Sequence, residues 1–297
     1  MSSSSGTEAD AAAFDALRPL LFTVAYEMLH VAADAEDVVQ EAWLRWSAAD
    51  RGEVRDRRAY CVRIVTRLSL NRMRTLARRR ETYVGPWLPE PILTAPDVAD
   101  DVELAESVST AMLCVLQSLT PLERAVFVLR EVFDVPYDEI AEAVGRSAPA
   151  VRQVAHRARE HVAARRPRRE VDRSELAAVV ERFRTAAATG EVGALVDVLA
   201  PDVVLVTDGG GLRKAALRPI EGRDKVLRFL AAVMPQDVSL EVRAAVAGGS
   251  PALLVVLDGV VDAVATVSVR DGQVETLYLV RNPEKLTRLA GDVVLAR

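Results

Sequence analysis

Residues 120–164, TPLERAVFVLREVFDVPYDEIAEAVGRSAPAVRQVAHRAREHVAA, decide how the first half of the chain folds. The segment Thr120-Pro-Leu-Glu123 is a capping box with proline at the first helical position, which is a strong helix start. Gly145 suits a tight turn, and Ser147 can cap the helix that follows it. Helices are predicted at about 121–133, 137–144 and 148–164. A helix, a glycine-containing turn and a second helix form the outline of a helix-turn-helix.

The last of these helices carries side chains that can read DNA. Val151, Val154 and Ala158 recur at helical spacing and are predicted to face inward. Arginine can pair with guanine, and glutamine with adenine, in the major groove. The candidate DNA contacts are Ser147, Arg152, Gln153, His156, Arg157 and Arg159. A three-helix bundle with no role in DNA binding is the alternative.

Charge is segregated along the chain, although the net charge of −5 would by itself argue against a nucleic-acid partner. Residues 51–80 hold eleven arginines against two acids, and residues 144–170 hold eight against two. Residues 81–143, between these blocks, hold two arginines against thirteen acids. Two separated basic blocks indicate two phosphate contacts, whereas a single basic run would be read as a solvated helix face.

Two predicted helices near the N-terminus have polar faces of opposite character. Over 34–46, four residues at i, i+3, i+4 and i+7 share one exposed face: Asp37, Gln40, Glu41 and Leu44. A polar face centred on one leucine suits docking to a basic protein surface, and a solvated face is the alternative. Over 59–80, cationic and amide side chains follow one side of the helix: Arg63, Arg67, Asn71, Arg74 and Arg78.

Residues 34–46 resemble region 2.2 of the extracytoplasmic-function sigma factors, group 4 of the sigma-70 family, and residues 119–161 resemble region 4. The resemblance implies an alternative sigma factor that binds core RNA polymerase and directs promoter-specific transcription initiation. The implied contacts with the polymerase β′ clamp helices are Asp37, Gln40, Glu41 and Leu44. Region 4 would meet the β flap and read the −35 element of promoter DNA through the six residues of its helix-turn-helix. A plain repressor would not need the docking face.

The same resemblance assigns recognition and melting of the −10 element to the helix at 59–80 and to the loop before it, residues 50–58. Opening the strands requires that a flipped base be held and read at its exposed edges, in addition to phosphate contacts. The implied −10 contacts are Arg57, Arg58, Arg63, Arg67, Asn71, Arg74 and Arg78.

Three short segments resemble signatures of the subgroup that has a fused C-terminal domain. Trp87-Leu-Pro-Glu-Pro91 resembles its linker signature, and Asp208-Gly-Gly-Gly211 and Asn282-Pro-Glu-Lys285 resemble the other two. We expect the linker to dock against the C-terminal domain, which would then regulate the factor in cis. The implied regulatory residues are Trp87, Leu88, Pro89, Glu90, Pro91, Asp208, Gly209, Gly210, Gly211, Asn282, Pro283, Glu284 and Lys285.

The chain changes character after residue 172, where helices are followed by strands. Predicted helices at about 174–188, 191–199 and 223–234 accompany strands at about 203–207, 238–246, 252–257, 260–269 and 274–281, with one further strand before the third helix. This order is typical of an α+β domain with a mostly antiparallel sheet, and it resembles the SnoaL/NTF2-like cone. Some relatives of that cone are enzymes, and Asp208, Asp258, Asp262 and Tyr278 could serve as acid or base. No spacing singles out a pair, so catalysis is not expected. A small-molecule ligand of this domain is the alternative partner.

The fold class predicted is therefore multidomain: two all-α sigma modules joined by a proline-rich linker, plus an α+β cone. The predicted parts are region 2 at 10–82, the linker at 83–101, region 4 at 102–166 and the SnoaL/NTF2-like domain at 172–292. Cys61 and Cys114 are predicted to be buried thiols, and no cofactor or metal site is expected. We expect a cytoplasmic protein, because no signal peptide or membrane-spanning stretch is visible.

Overall fold

The structure is a computed structural model that describes residues 3–49, 54–94, 102–165, 173–188, 192–233 and 238–287, together with 289 and 295. The chain forms two compact units. One unit contains residues 1–79, 115–166 and 294–297, and the other contains 80–114 and 167–293. Within the described ranges, no helix is both long enough and apolar enough to cross a bilayer.

Three helices form the first part of unit 1, and apolar residues at three- and four-residue steps give each of them a buried side. They are α1 (Ser3–Leu29), α2 (Ala32–Ser47) and α3 (Arg57–Glu81), whose last two residues belong to unit 2. Leu21 and Met28 of α1 are fully buried, and Trp46 of α2 packs against Tyr60 of α3 with ring centroids 5.8 Å apart. The predicted starts of α2 and α3 were each two residues late.

The predicted helix-turn-helix is confirmed. It consists of α7 (Tyr137–Val144), the turn at Gly145 and α8 (Ala148–Ala163), and it is preceded by α6 (Pro121–Phe127) and a π-helical turn, Val128–Val132. Both hydrogen bonds of the Thr120–Glu123 capping box are present, and the Ser147 hydroxyl accepts a bond from the Ala150 amide. Gly145 turns the chain at φ +67°, in the left-handed region that favours glycine.

The start of the predicted region 4, before α6, is formed by two short helices rather than one: α4 (Val102–Ser107) and α5 (Thr110–Gln117). The Ser109 hydroxyl accepts a hydrogen bond from the Met112 amide at 3.2 Å and so caps the start of α5. Helix α5 begins in unit 2 and ends in unit 1.

Unit 2 contains a six-stranded sheet in the order β2-β1-β6-β5-β4-β3, and only β1 and β6 pair in parallel. The strands are β1 (Leu199–Asp208), β2 (Ile220–Glu221), β3 (Leu240–Ala247), β4 (Ser250–Leu257), β5 (Val260–Arg270) and β6 (Gln273–Val280). The helices are α9 (Arg173–Ala188), α10 (Arg223–Val233) and the short α11 (Pro283–Leu286).

The apolar core of this unit lies between the sheet and α9, with Val179, Val180 and Phe183 packed against strand residues. The predicted helix at 191–199 is wrong. Only Val192–Leu195 is helical, as a single 3-10 turn, and Leu199 already begins β1, where it is fully buried on the sheet. A tight hairpin joins β5 to β6, and Asp271 and Gly272 at its turn both have positive φ.

Candidate functional site

The linker and the sheet of unit 2 meet at the carboxylate of Asp208, the last residue of β1. One oxygen of this fully buried carboxylate accepts from the Tyr83 hydroxyl at 2.6 Å, and the other accepts from the Leu88 amide at 2.8 Å. The second oxygen also binds the Lys285 ammonium at 2.7 Å. Asp208 therefore joins the linker to α11.

Lys285 contacts the linker in two further ways. Its ammonium donates to the Leu88 carbonyl at 2.5 Å and lies 3.7 Å from the centre of the Trp87 ring, a cation–π distance. The Lys285 side chain is 9% exposed and the Asp208 side chain is not exposed at all. A buried charge is stable only when it is paired and hydrogen-bonded, so these contacts depend on one another.

Asn282 completes this arrangement. Its side-chain amide donates to the Tyr83 hydroxyl at 2.7 Å, and its oxygen caps α11 by accepting from the Glu284 amide. Burial and the hydrogen bond to Asp208 raise the pKa of Tyr83. We call Tyr83, Trp87, Leu88, Asp208, Asn282 and Lys285 the linker site.

Two glycines after Asp208 leave no room for a side chain. A Cβ on Gly209 would collide with the Arg213 carbonyl, and a Cβ on Gly210 would collide with the Asn282 side chain. Gly210 and Gly211 also have positive φ. The Asp-Gly-Gly-Gly segment therefore lets the turn approach Asn282 closely.

The linker makes a second connection that the sequence did not reveal. The Thr94 amide donates to the Val246 carbonyl, its hydroxyl accepts from the Gly249 amide, and the Gly248 amide donates to the Ile92 carbonyl, all at 3.0 Å. No motif marks Ile92 or Thr94. The remaining predicted regulatory residues lie in the same segments: Pro89 and Glu90 are buried, Pro91 is half-buried, and Pro283 and Glu284 form the first turn of α11.

The predicted polymerase-docking face of α2 lies on the surface of unit 1. Asp37, Gln40, Glu41 and Leu44 are all exposed, and Leu44 is 60% exposed. Asp37 pairs with Arg72 at 3.0 Å and Glu41 with Arg45 at 2.7 Å. An exposed leucine among acidic side chains is the arrangement that the sequence predicted.

The predicted −10 residues occupy different surroundings along α3. Arg57, Arg58, Asn71 and Arg74 are exposed, and Arg74 donates to Asn71. Arg63 and Arg67 instead contact α7, through the Glu142 carboxylate at 3.0 Å and the Glu142 carbonyl at 2.7 Å, respectively. The side chain of Arg78 and the loop residues 50–53 lie outside the described residues.

The predicted −35 face of α8 is largely open. Arg152, Gln153, His156 and Arg157 are exposed. Two of the predicted contacts lie beside acidic side chains: Arg159 pairs with Glu131 at 3.2 Å, and the His156 ring lies 3.5 Å from the Glu160 carboxylate. Four polar side chains on one face of the second helix of a helix-turn-helix can reach base edges in the major groove.

The four residues considered for catalysis do not form an acid–base pair. Asp208 belongs to the linker site, Asp262 pairs with Arg281 at 2.7 Å, and the Asp258 carboxylate accepts from the Ser239 amide in a turn. Burial raises the pKa of Tyr278, which keeps its hydroxyl protonated. Among the described residues, no group of three or more potential metal ligands comes together.

Both cysteines are free thiols. Cys61 is buried and Cys114 half-buried. Burial raises the pKa of Cys61 to about 11 and that of Cys114 to about 12, so both thiols stay protonated near neutral pH.

These features define an RNA polymerase sigma factor with an added domain, and family models agree. The model for sigma-70 region 2 matches residues 13–79, that for sigma-70 region 4 matches 109–162, and that for the SnoaL-like domain matches 180–276. The mixed sheet with its helices is the SnoaL/NTF2-like fold predicted for the C-terminal domain.

Two curated relatives extend over nearly the whole chain. The ECF RNA polymerase sigma factor SigJ of Mycobacterium tuberculosis is 40% identical over 288 residues, covering 92% of each protein. The probable ECF sigma factor SigI of the same organism is 30% identical, covering 95% of this chain and 96% of its own. The crystal structure of SigJ aligns with a TM-score of 0.75 and 36% identity, covering 94% of this chain and 99% of that one. The chain belongs to the ECF RNA polymerase sigma factors, which act with RNA polymerase at promoters.

Proposed function

We propose that the C-terminal domain regulates this sigma factor by holding the linker between its two promoter-reading regions. The observation that carries the proposal is the buried Asp208 carboxylate, which binds Tyr83, Leu88 and Lys285 at once. Region 2 corresponds to residues 10–82 and region 4 to 102–166. The 83–101 linker is the segment whose reach limits how far these regions can separate.

The length of the linker indicates that the C-terminal domain inhibits promoter binding rather than activating it. The −35 and −10 elements are roughly 25 base pairs apart, which is about 80 Å along the duplex at 3.4 Å per base pair. Residues 83–94 could span up to about 40 Å when extended, but in unit 2 they are held at both ends, by Asp208 and by Gly249. Holding them shortens the linker, so releasing them is expected to favour simultaneous binding of both elements.

A run-off transcription assay with core polymerase tests this role. Trp87→Ala removes the ring beneath Lys285 and is expected to raise promoter output, because the linker is held less tightly. Val260→Ala is the control, since Val260 begins β5 of the same unit and is 67% exposed. Equal output from wild type, Trp87→Ala and a chain ending near residue 170 would contradict regulation by this domain.

We further propose that the α2 face contacts the β′ clamp helices and that region 4 contacts the β flap. Leu44, exposed among Asp37, Gln40 and Glu41, supports the first contact. Leu44→Arg should abolish capture of core polymerase, whereas Leu217→Arg, which alters a similarly exposed leucine in unit 2, should leave it intact. Capture that survives Leu44→Arg would place the docking surface elsewhere.

The size of the cavity in the C-terminal domain favours linker holding over small-molecule binding. The cavity has a volume of about 90 Å³ and an apolar wall that includes Phe183 and Leu277, with Asp262 and Arg281 among its lining residues. Ligand pockets usually measure about 300–1,000 Å³. A ligand-dependent rise in the unfolding temperature of the full chain would instead support a sensor.

A further inference from the structure

Helix α7 of the helix-turn-helix occupies part of the surface that is assigned to the −10 element. Arg63 of α3 binds the Glu142 carboxylate at 3.0 Å. Arg67, one turn further along α3, donates to the carbonyls of Glu142 and Ala143 at 2.7 and 3.2 Å. Both of these arginines are proposed −10 contacts, and within unit 1 they bind protein instead.

The chemistry of this α3–α7 contact resembles that of a phosphate contact. The two carbonyls belong to the last turn of α7, where unpaired carbonyls and the helix dipole create a partial negative charge. The Glu142 carboxylate adds a full negative charge beside them. Region 4 therefore offers Arg63 and Arg67 negatively charged oxygens in place of the DNA phosphates that they are proposed to bind.

A cavity shows that the overlap extends to the loop before α3. About 490 Å³ of space is lined on one side by Arg55, Asp56, Tyr60 and Arg63 and on the other by Glu139 and Glu142. Arg55 and Asp56 belong to the loop that would hold a flipped base, and Tyr60 and Arg63 lie in the first two turns of α3. Two glutamates facing that space would repel a nucleic-acid strand.

We propose that in the free factor α7 acts as an anionic cover over the −10-reading face of α3, so that the factor binds DNA poorly until region 4 moves away. The proposal rests on the proposed promoter-reading role of α3. Region 4 must move in any case, because two surfaces in direct contact cannot reach elements about 80 Å apart.

The α3–α7 contact is suited to reversible opening. The side chains of Arg63 and Glu142 are 34% and 68% exposed, and exposed ion pairs contribute little to stability. A more buried bond accompanies it in unit 1, because Arg124 of region 4 donates to the Met28 carbonyl of α1 at 2.9 Å. Removing the Glu142 charge should therefore loosen the α3–α7 contact, while the buried Arg124–Met28 bond keeps both regions folded and limits how far they separate.

DNA binding by the free full-length chain tests the cover. The probe is a fluorescent, mixed-sequence single-stranded oligonucleotide at low salt. Glu142→Gln is expected to bind it about two- to fivefold more tightly than wild type, the range expected for losing one exposed ion pair. Asp138→Asn is the matched control: it removes one negative charge from the same helix, and among the described residues no ion pair reaches Asp138. Equal affinities for the two variants would overturn the proposal.

A distance measurement tests the α7 cover without relying on the proposed promoter-reading role of α3. Spin labels on Ala48→Cys and Ala163→Cys report on the separation of regions 2 and 4, and both positions are exposed. Glu142→Gln should add a population with longer distances, and Asp138→Asn should not. Unchanged distances would overturn the cover even if the protein initiates transcription. Longer distances would support it independently of any transcription assay.

Discussion

Two ion pairs of similar length, Lys285–Asp208 and Arg63–Glu142, are used in contrasting ways. They measure 2.7 and 3.0 Å, but the first has side chains 9% and 0% exposed and the second 34% and 68%. Breaking a buried pair leaves an uncompensated charge in a poorly solvated place, whereas water and salt replace an exposed partner easily. We therefore expect the contacts of the linker site to stay formed, and the α3–α7 contact to open more readily.

The largest effect is expected from Asp208→Asn. This change leaves the Lys285 ammonium buried without its counter-charge and should lower the free energy of unfolding of unit 2 by about 3–5 kcal/mol. Thermal unfolding of the full chain measures it. Asp202→Asn breaks the exposed Asp202–Arg270 pair in the same unit and should have a much smaller effect. Similar effects of the two variants would remove the contrast between buried and exposed pairs.

A double variant sharpens the same contrast. Lys285→Met in the Asp208→Asn background removes the unpaired charge, and it should recover part of the stability that Asp208→Asn loses. A chemical denaturation curve for each single variant and for the double variant gives the coupling between the two residues. Additive losses would mean that the two side chains do not depend on each other.

Tyr83→Phe should produce a moderate, pH-dependent loss. Removing the hydroxyl breaks its bonds with Asp208 and Asn282 and should cost about 1–2 kcal/mol at pH 7. Because the pKa of Tyr83 is raised on folding, its contribution is complete below about pH 10, the ordinary tyrosine pKa, and is lost as the pH rises further. The stability difference between wild type and Tyr83→Phe should therefore shrink above pH 10. A difference that grows with pH would contradict the assignment.

The smallest effect is expected from salt. Raising the ionic strength from about 0.05 to about 0.5 M shortens the screening length and should weaken the exposed Arg63–Glu142 pair. The distances between labels at positions 48 and 163 should become more broadly distributed. Protection of the linker from proteolysis should not change, because Lys285 and Asp208 are buried. Linker cleavage that increases with salt would show that the two contacts are not distinct.

The helix-turn-helix was predictable because its signals are local. A capping box, a left-handed glycine and a capping serine occur within the span of three helices, and each fixes the backbone next to it. The docking of the linker against the C-terminal domain was also predictable, from three short segments. The sequence did not identify Tyr83 and Thr94 as part of it, because neither residue lies within one of those segments and each contacts a residue far away along the chain.

The errors have a common physical origin. The prediction of a helix at 191–199 was wrong at its end, where Leu199 begins a strand. Leu195, Val198 and Leu199 have the spacing of a helix face, but the sheet is what buries Leu199 and Ala200. The contact of Arg63 with Glu142 joins residues 79 positions apart. Periodicity places a side chain on one face of its own helix, but tertiary packing decides what that face meets.

The most direct test of this account is the distance between labels at positions 48 and 163, measured in the full chain before and after core polymerase is added. The account predicts a short distance in the free factor, where α3 and α7 are in contact, and an increase of tens of ångströms in the complex, where the two regions must reach elements about 80 Å apart. The same short distance in both states would contradict it.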